Sequence, residues 1–370
     1  MKIGYFTDNF PPRIGGVATY SFELPYFFKK IHPEIEIEVF VFASEAKWEN
    51  IGDLKINILK KKSIFNLAFD VFRIIKNNKF DIVHTTTFFP LGFFVALSAK
   101  LFGLKSYLTV YGTEVVTTKG SFTTKIIQSL TLSLVYKILA FSNSTKKLMM
   151  IRHKLDPEKI EVTYPGISTL ELSESYDVRE KFKIKSDDFV VLFVGRLVER
   201  KGALDLIKAV EQLKDSKVKL ILVGGGDKQI LENYAKDNNI HDQIIFTGAV
   251  KREEIMNYYQ SAQIFSMPSF FDATKDDVEG LGIVYLEAQI NGLPVIGTNS
   301  GGIPEAIANN KSGFIVEPRD IKALSNKIKL LKNDHDLYQK MSKEAENFVK
   351  DNFNWQKNIN QHLAIYQNKK

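Results

Sequence analysis

The first half of the chain alternates short apolar runs with segments whose apolar residues recur every three or four positions. KIGYFTD (2–8) predicts a buried strand, whereas 64–78 has a helical period, with apolar residues at 64, 65, 68, 71, 72 and 75. Further strands are predicted at 34–43, 56–60, 80–87, 106–114, 138–142 and 160–166, and further helices at 18–30 (interrupted by Pro25), 91–103, 123–137 and 143–154. Such alternation predicts a parallel sheet covered by helices on both faces.

A polar stretch follows, and the alternation then restarts. Strands are predicted at FVVLFVGRL, KLILVGGGD, IIFTGAV, IFSMPS, PVIGT and GFIVEP, with helices between them and two or three amphipathic helices at the end. We therefore predict an α/β protein with two doubly wound parallel-sheet domains at 1–166 and 188–350. A linker is predicted at 167–187, and a last helix at 351–370. A cleft between two such domains is the expected ligand site.

Composition supports two domains and argues against several kinds of site. The chain has 370 residues, whereas single cores stop growing near about 250–300 residues. It has no cysteine, which excludes disulfides and thiolate metal sites and suits a reducing cytoplasm. The six histidines are scattered, and the Asp-x-Asp at 334–336 falls in a late polar helical region. We therefore predict no metal and no cofactor.

The chain shows no segment that predicts secretion or membrane insertion. Asp8 and the following prolines interrupt any apolar core near the start. The most apolar stretch, 88–99, ends at Lys100 and is shorter than the roughly 18–20 residues of a membrane span. We expect a cytoplasmic protein, either free or peripheral on the cytoplasmic face of a membrane.

Charge is unevenly distributed between the two halves. Residues 1–165 carry 22 Lys and Arg against 14 Asp and Glu, a net charge of +8, and the remainder is at −1. A basic half can attract an anionic surface or substrate. The alternative is a lysine-rich composition without purpose, since 42 of the 50 basic residues are lysine. No nucleic-acid-binding signature accompanies the charge, so we expect no nucleic-acid partner.

Two cations follow the first strand of the second domain. In VGRLVERKG (194–202), Arg196 ends the strand and Lys201 opens the next helix. Free N–H groups and the helix dipole favour negative charge there. A lysine at a helix start is unfavourable unless an anion binds, and arginine has the forked geometry that suits phosphate. A solvated pair of loop charges is the alternative interpretation.

A second cluster lies in DDVEGLGIVYLEA (276–288). A helix is predicted near Gly282, so the N–H groups of Leu281, Gly282 and Ile283 would be unpaired and available to an anion. Glu279 could accept hydroxyl hydrogen bonds or neutralise a positive centre, and Glu287 could bind a vicinal diol such as a ribose. A diphosphate with hydroxylated rings at both ends describes a nucleotide sugar.

Other glycine turns are less specific. Gly15 and Gly16 separate the first strand from the first helix, where the backbone can approach a ligand. LVGGGD (222–227) is a second glycine-rich strand end. Neither has the G-x-G-x-x-G spacing, so a nicotinamide-dependent epimerase or reductase is disfavoured. TVYGTEV (109–115) places Tyr111, Gly112 and Glu114 after a strand of the first domain.

Together these motifs resemble the retaining glycosyltransferases of family 4, which have the GT-B fold of two facing Rossmann-like domains. GRLVERKG, EGLGIVYLE, PVIGTNSGGIPEAI and GFIVEP carry the resemblance over most of the chain. The segment DDVEGLGIVYLEA is especially similar in sequence to the corresponding segment of the bacterial phosphatidylinositol-mannoside mannosyltransferases, which use GDP-mannose. The resemblance implies a hexosyltransferase of the EC 2.4 class whose final helix packs back on the first domain.

The resemblance also implies roles for individual residues. Arg196 and Lys201 would hold the donor diphosphate, Glu279 would contact the donor sugar, and Glu287 the ribose. Leu281, Gly282, Ile283 and Val250 would complete the nucleotide-sugar site, and Gly16 would approach the phosphate from the first domain. The family often has His-Gly where this chain has Tyr111-Gly112. Tyr111 or His84 would then contact the transferred sugar.

The implied mechanism retains the anomeric configuration without metal. The bond breaks towards an oxocarbenium-like state, and the cations stabilise the leaving diphosphate. The donor is expected to be GDP-mannose, with a UDP-sugar as the alternative, and the acceptor a glycan or a lipid-linked molecule. Lysine clusters at 29–30, 60–62 and 146–147 would attract an anionic membrane. A nucleotide-sugar-binding regulator without transferase activity is the rival interpretation, supported by the change to Tyr111.

Overall fold

The computed structural model describes residues 1–13, 15–42, 54–59, 63–112, 122–168, 175–272 and 277–368. The chain divides into two compact units, one formed by Met1–Gly166 with Trp355–Lys370 and the other by Ile167–Asn354. Two features named from the sequence, the basic cluster 60–62 and Glu114, lie outside the described residues.

The first unit contains a seven-stranded parallel sheet in the order β3-β2-β1-β4-β5-β6-β7. Its strands are β1 (Lys2–Thr7), β2 (Glu36–Phe42), β3 (Lys55–Leu59), β4 (Ile82–Thr85), β5 (Lys105–Val110), β6 (Lys137–Ala140) and β7 (Ile160–Val162). Its helices are α1 (Gly16–Ile31), α2 (Ile64–Asn77), α3 (Leu91–Leu101), α4 (Phe122–Leu134), α5 (Asn143–His153) and, from the end of the chain, α13 (Trp355–Tyr366).

The second unit contains a six-stranded parallel sheet in the order β10-β9-β8-β11-β12-β13. Its strands are β8 (Phe189–Val194), β9 (Val218–Val223), β10 (Ile244–Gly248), β11 (Ile264–Ser266), β12 (Val295–Thr298) and β13 (Gly313–Val316). Its helices are α6 (Val178–Lys181), α7 (Ala203–Leu213), α8 (Gln229–Asp237), α9 (Ile255–Ser261), α10 (Ile283–Ile290), α11 (Ile321–Asn333) and α12 (His335–Asn352).

Both sheets place their first strand in the middle, the 3-2-1-4-5-6 order of Rossmann folds, with a seventh strand added in the first unit. The central strands are apolar and buried along their length, because helices cover both faces. The predicted α/β class with two doubly wound parallel sheets is therefore confirmed. No helix within the described ranges is long and apolar enough to cross a membrane.

Helix α1 differs from the sequence-based expectation, whereas the predicted domain bounds stay a prediction. Helix α1 is not interrupted at Pro25, which stays inside the helix on its buried face. The segment 167–187, predicted as a linker, is counted within the second unit. There Arg179 of α6 donates to the carbonyls of Lys185, Asp188 and Ser261 at 2.8–3.1 Å. These hydrogen bonds attach the described part of the segment to the unit.

The last helix belongs to the first unit. Trp355 stacks on Phe27 of α1 with ring centroids 4.6 Å apart, and Tyr366 stacks on Phe28 at 5.7 Å. A Cβ on Gly166 would lie 2.4 Å from the Trp355 ring, so only glycine fits at the end of the first segment of this unit. Helix α13 thus completes the core of the first unit.

Candidate active site

Glycine loops pack closely at the carboxyl ends of the strands in the second unit. The loop after β8 lies against the loop after β9, where the Leu197 N–H donates to the Gly225 carbonyl at 2.8 Å. At Gly224 the φ angle is 149°, and a Cβ would lie 1.8 Å from the Gly195 carbonyl oxygen. Only glycine fits there. This edge of the sheet is where parallel α/β domains bind ligands.

Arg196 lies exposed at this edge. Its side chain forms no hydrogen bond or ion pair with any part of the chain that the structure describes. Its guanidinium is nevertheless near enough to Lys201 for the two positive charges to interact. Arg196 is therefore a cation available to a ligand.

Lys201 ends a single 3-10 turn, Glu199–Lys201, rather than opening an α-helix. Gly202 follows with φ 74°, and a Cβ there would lie 2.2 Å from the Pro268 carbonyl oxygen. Helix α7 therefore begins only at Ala203. The turn directs the Lys201 side chain towards the loop that precedes α10.

Lys201 forms an ion pair with a carboxylate of the protein itself. The Lys201 ammonium donates to Oε2 of Glu279, and the same oxygen accepts from Nη1 of Arg200 at 3.1 Å. Arg200 is only 5% exposed and also donates through Nε to Asp277 at 2.5 Å. Within the described chain nothing donates to Oε1 of Glu279. One carboxylate oxygen therefore fixes Glu279 between two cations while the other remains an acceptor.

This ion cluster changes the pKa of both partners. Burial would raise the pKa of Glu279, but the charges of Lys201 and Arg200 overcome burial and hold that pKa below its usual value. Burial lowers the pKa of Lys201, and Arg200 and Arg196 act in the same direction against Glu279. Glu279 is therefore ionised at neutral pH and cannot serve there as a proton donor.

A tight turn connects Glu279 to α10. Gly282 ends it with φ 83°, and the Gly302 N–H donates to the Glu279 carbonyl at 2.9 Å. The N–H groups of Leu281, Gly282 and Ile283 donate to no acceptor in the described ranges. No acidic residue occupies the first turn of α10. Such unpaired N–H groups at a helix N-terminus favour an anion.

Glu287 lies within α10 and is nearly buried. Its Oε1 accepts from Nη1 of Arg252 at 3.0 Å, and its Oε2 accepts from the Tyr259 hydroxyl at 3.0 Å. Arg252 belongs to the turn after β10 and follows the half-buried Val250 by two residues. Through Arg252, Glu287 is connected to the segment that follows β10. Val250 belongs to the same segment.

Two predicted residues of the first unit, Gly16 and Tyr111, lie at the edge of its sheet where the strands have their carboxyl ends. Gly16 is exposed and begins α1 directly after Gly15, whose φ is 143°. Tyr111 follows β5, is half-buried, and packs edge-on against Phe141 with ring centroids 4.6 Å apart. Its hydroxyl lies 3.5 Å from Oγ of Ser21. Both residues therefore occupy the ligand-binding edge of a parallel sheet.

His84 is not available to a sugar, contrary to the prediction. It is fully buried, with Nδ1 2.5 Å from the Tyr366 hydroxyl and Nε2 2.8 Å from Oγ1 of Thr109. Its side chain points from β4 into the layer covered by α13. Burial, together with nearby His362, lowers the pKa of His84 well below its usual value, and burial lowers the pKa of His362 to about 4.

These two histidines should make the first unit less stable in acid. The unfolded chain takes up protons near pH 6.5, whereas the folded unit keeps the His362 imidazole neutral to about pH 4 and burial also keeps the pKa of His84 well below its usual value, so stability falls as the pH drops below 6.5. Between pH 7 and pH 5 the loss from His362 should be about 2 kcal/mol, and His84 should add a loss of the same sign. Urea unfolding followed by tryptophan fluorescence measures it, with His362→Gln losing about half of the pH dependence. The exposed His241→Gln is the control, and an unchanged slope in His362→Gln would contradict the prediction.

Four residues of the site were missed by the sequence analysis, namely Arg200, Asp277, Arg252 and Tyr259. A signal existed for the first two, since Arg200 adjoins Lys201 and Asp277 lies two residues before Glu279. Nothing in the sequence paired them, because they are 77 residues apart. Across the residues that the structure describes, no group of three or more acidic or histidine side chains has metal-binding geometry.

Comparison with known proteins also divides the chain into two domains. Residues 14–170 match the model of Glycosyltransferase Family 4, and residues 175–348 match that of Glycosyl transferases group 1. The structure is similar to that of Anabaena HepE in complex with UDP and glucose, with a TM-score of 0.78 over 100% of both chains at 19% identity. That similarity supports the GT-B fold.

Curated relatives include two bacterial mannosyltransferases. A GDP-mannose-dependent monoacylated alpha-(1-6)-phosphatidylinositol monomannoside mannosyltransferase of Corynebacterium glutamicum is 30% identical over 86% of this chain and 85% of its own. A GDP-mannose-dependent alpha-(1-6)-phosphatidylinositol monomannoside mannosyltransferase of Mycolicibacterium smegmatis is 33% identical, but that match spans only about half of each chain, 52% of both. The chain belongs to the glycosyltransferases that join a family 4 domain to a group 1 domain.

Proposed function

We propose that this protein is a retaining, metal-independent hexosyltransferase that uses a nucleotide sugar, with GDP-mannose favoured as the donor. The observation that carries the proposal is the arrangement around Glu279. A carboxylate held by Lys201 and Arg200 lies two residues before three N–H groups that find no acceptor among the described residues, and the exposed Arg196 lies on the same edge. A diphosphate joined to a sugar matches these groups in charge and in order.

The diphosphate would bind Arg196, Lys201 and the turn before α10. Five charged side chains form the cluster, and the three cations exceed the two carboxylates Glu279 and Asp277 by one positive charge. The N–H groups of Leu281, Gly282 and Ile283 add fixed dipoles without adding charge. Negative charge that grows on the leaving diphosphate is therefore stabilised where it develops.

Glu279 would contact the transferred sugar rather than protonate the leaving group. It is ionised, because Lys201 and Arg200 keep its pKa low, and its Oε1 is still able to accept a hydroxyl hydrogen bond. An anion at this position also favours the positive charge of an oxocarbenium-like state. The proton of the acceptor hydroxyl would pass to the leaving phosphate oxygen, so no second carboxylate is required, unlike in retaining glycosidases.

Glu287 would bind the ribose of the donor. Both of its oxygens already accept one hydrogen bond, from Arg252 and Tyr259. A carboxylate has about four acceptor sites, so each oxygen can accept a second hydrogen bond from a vicinal diol. Val250, two residues before Arg252, would then contact the nucleoside.

Donor identity rests on the relatives. The two mannosyltransferases named above are GDP-mannose-dependent, which favours GDP-mannose. HepE binds UDP and glucose in a similar fold, which supports a UDP-sugar as the second candidate. The +8 charge of residues 1–165 favours an anionic, lipid-linked or membrane-borne acceptor contacted by the first unit.

A donor panel tests the proposal. We expect GDP-mannose to raise the thermal unfolding temperature more than GDP-glucose, UDP-glucose or UDP-galactose, since a ligand that binds only the folded state stabilises it. Slow hydrolysis or transfer of labelled mannose should then follow, with full activity in excess EDTA. Glu279→Gln is the paired variant, and it should bind donor but transfer poorly.

Three results would contradict this proposal. Binding without hydrolysis or transfer by the wild type would favour a regulator without catalysis. Stronger stabilisation by a UDP-sugar than by GDP-mannose would identify the UDP-sugar as the donor. Loss of activity in EDTA that magnesium or manganese restores would show that the mechanism needs a metal. Retention itself is read from the anomeric configuration of the product by NMR.

A further inference from the structure

The second unit contains an open cavity of about 600 Å³ beside the proposed diphosphate cluster. It lies where β11, β12 and β13 have their carboxyl ends, and its volume falls in the range of small-molecule sites. We call it the Arg319 pocket, and its described lining consists of Glu199, 270–272, 299–301 and 318–319. None of Arg196, Lys201 and Glu279 belongs to that lining, so the pocket is separate from the cluster.

Backbone contacts attach the Arg319 pocket to the loop that carries Glu279. Asp272 and Asp277 exchange both of their backbone hydrogen bonds, at 3.1 and 3.2 Å. Gly301 adopts a φ angle of 56°, and a Cβ there would lie 2.3 Å from the Glu279 carbonyl oxygen. A ligand in the pocket would therefore keep a fixed position relative to the Glu279 backbone.

Two contacts hold the Arg319 side chain at the wall of the pocket. Its guanidinium carbon lies 3.9 Å from the centroid of the Phe270 ring, and its Nη2 donates to Oε1 of Glu199 at 3.1 Å. The Phe270 N–H in turn donates to the Arg200 carbonyl at 2.9 Å. An arginine has five N–H donors, and only one of those of Arg319 meets an acceptor among the described residues. Because the side chain is also 54% exposed, the other N–H groups are available to a ligand.

The pocket also presents an apolar face and several acceptors. The Phe271 ring is 46% exposed, although Phe270 beside it is buried. The other lining residues include Glu199 and the nearly buried Asp272. A carboxylate has about four acceptor sites, so each can accept from ligand hydroxyls in addition to its protein contacts. An exposed aromatic ring beside donors and acceptors matches a sugar ring, which has an apolar face and hydroxyls around its edge.

The charge of the pocket disfavours an anionic ligand. The described lining contains one cation, Arg319, and two carboxylates, Glu199 and Asp272. Asp205 of α7 lies near enough to Arg319 and Glu199 for their charges to interact. It is 6% exposed, and its buried Oδ2 has no hydrogen-bond partner among the described residues. This excess of negative charge disfavours a phosphate and favours a ligand that donates hydroxyl hydrogen bonds.

We infer that the Arg319 pocket binds a neutral sugar ring of the acceptor. Phe271 contacts the apolar face of the ring, the carboxylates accept from its hydroxyls, and Arg319 donates to its oxygens. The acceptor is then a glycan or a glycolipid rather than a lipid that carries only a phosphate headgroup. Calling the ring part of the acceptor rests on the proposed function, whereas saccharide binding itself requires no donor and no catalysis.

Glycoside titration tests the inference. The full chain without donor is titrated with the methyl α-glycosides of mannose, glucose, galactose and N-acetylglucosamine, and binding is followed by saturation-transfer NMR. We expect at least one of the four to bind. Phe271→Ala should raise its Kd at least about fivefold, because the aromatic face is lost. Phe271 is nearly half exposed in the folded protein, so the fold should be kept.

A second variant removes donors instead of the aromatic face. Arg319→Gln should also raise the Kd at least about fivefold, because the N–H donors of a charged group are lost. Each variant has a matched control elsewhere in the second unit. Ile230→Ala alters a 61% exposed apolar residue, and Lys228→Gln alters an exposed cation. Neither control should change the Kd, and thermal unfolding verifies that every variant is folded.

Several results would overturn the inference. One is a wild type that binds none of the four glycosides, and another is an unchanged Kd in Phe271→Ala. An equal loss in Phe271→Ala and Ile230→Ala would place the effect outside the pocket. Displacement of the glycoside by GDP-mannose or UDP-glucose would identify the hexose of the donor as the occupant, and displacement by inorganic phosphate would identify an anion site.

A local reporter measures contact at the pocket directly. Phe271→Trp keeps an aromatic ring and places a fluorophore in the Arg319 pocket, whereas Ile230→Trp places one outside it. Saturating glycoside should shift the additional emission of the first variant but not of the second. No shift in the first variant, or an equal shift in both, would show that the sugar does not contact residue 271.

Donor assays separate this inference from the proposed function. Glycoside binding that depends on Phe271, in a protein that neither hydrolyses nor transfers any donor, would count against the proposed function and not against the pocket. Donor hydrolysis by a protein that binds none of the glycosides would count against the pocket and not against the proposed function.

Discussion

Replacing Lys201 by methionine should lower kcat/KM for glycosyl transfer by about 10²- to 10³-fold, or roughly 3–4 kcal/mol of transition-state stabilisation. The Lys201 ammonium lies where the donor diphosphate is proposed to bind and where negative charge grows as the sugar departs. Methionine keeps the packing of the buried stem and removes only the charge. Arg200 remains beside Glu279, so the carboxylate does not lose all of its partners.

Arg196→Ala should have an effect of the same size for a different structural reason. Arg196 is exposed and its side chain has no partner among the described residues, so its removal should leave stability unchanged. Lys228→Met is the control for a lost positive charge, since Lys228 is exposed and its ammonium lies 3.0 Å from Glu232, which is not part of the cluster. More than about a tenth of wild-type activity in either site variant would reject the phosphate role, since charge-assisted contacts are worth more than that.

Gly224→Ala should destabilise the second unit severely, by at least about 3 kcal/mol of unfolding free energy. Its φ of 149° is one that side-chain-bearing residues rarely adopt, and the new Cβ would lie 1.8 Å from the Gly195 carbonyl oxygen. The contact is with backbone, so no side-chain rotation relieves it. Either the loop that carries Arg196 moves or the unit unfolds.

Gly225→Ala is the adjacent control for that substitution. A Cβ at Gly225 would meet only the Ala249 Cβ, at 3.7 Å, which is ordinary contact. Its effect should stay within about 1 kcal/mol of the wild type. Urea unfolding of the two variants makes the comparison, and equal destabilisation would show that the close approach of the two loops is not needed for stability.

The order of strands and helices could be predicted from the sequence because parallel sheets leave a strong pattern. Buried strands such as β8 are apolar throughout, and helices such as α2 show a clear period. Helix α1 continues through Pro25, contrary to the prediction, and Pro25 is buried within it. The start of α7 was misplaced because the left-handed conformation of Gly202 separates it from the turn at Lys201.

The partners of the site residues could not be predicted in the same way. Arg196, Lys201 and Glu279 were recognised because cations, carboxylates and glycines stand at strand ends and helix starts. The contact between Lys201 and Glu279 joins residues 78 positions apart and depends on the path of two loops. The predicted sugar contact of His84 was wrong because alternate residues of a strand point to opposite faces of the sheet. His84 points to the face that is covered by α13, a helix from the far end of the chain.

That distant helix has a consequence for how the protein can be made and divided. The first unit is discontinuous, since residues 355–370 complete it only after the whole of 167–354 has been synthesised. On the ribosome the amino-terminal sheet must wait with His84, Phe27 and Phe28 uncovered until the last helix emerges, while the second unit can already close. A fragment cut at Gly166 should therefore be unstable alone, and a circular permutant that begins at Trp355 and joins Lys370 to Met1 should fold its first unit in order of synthesis.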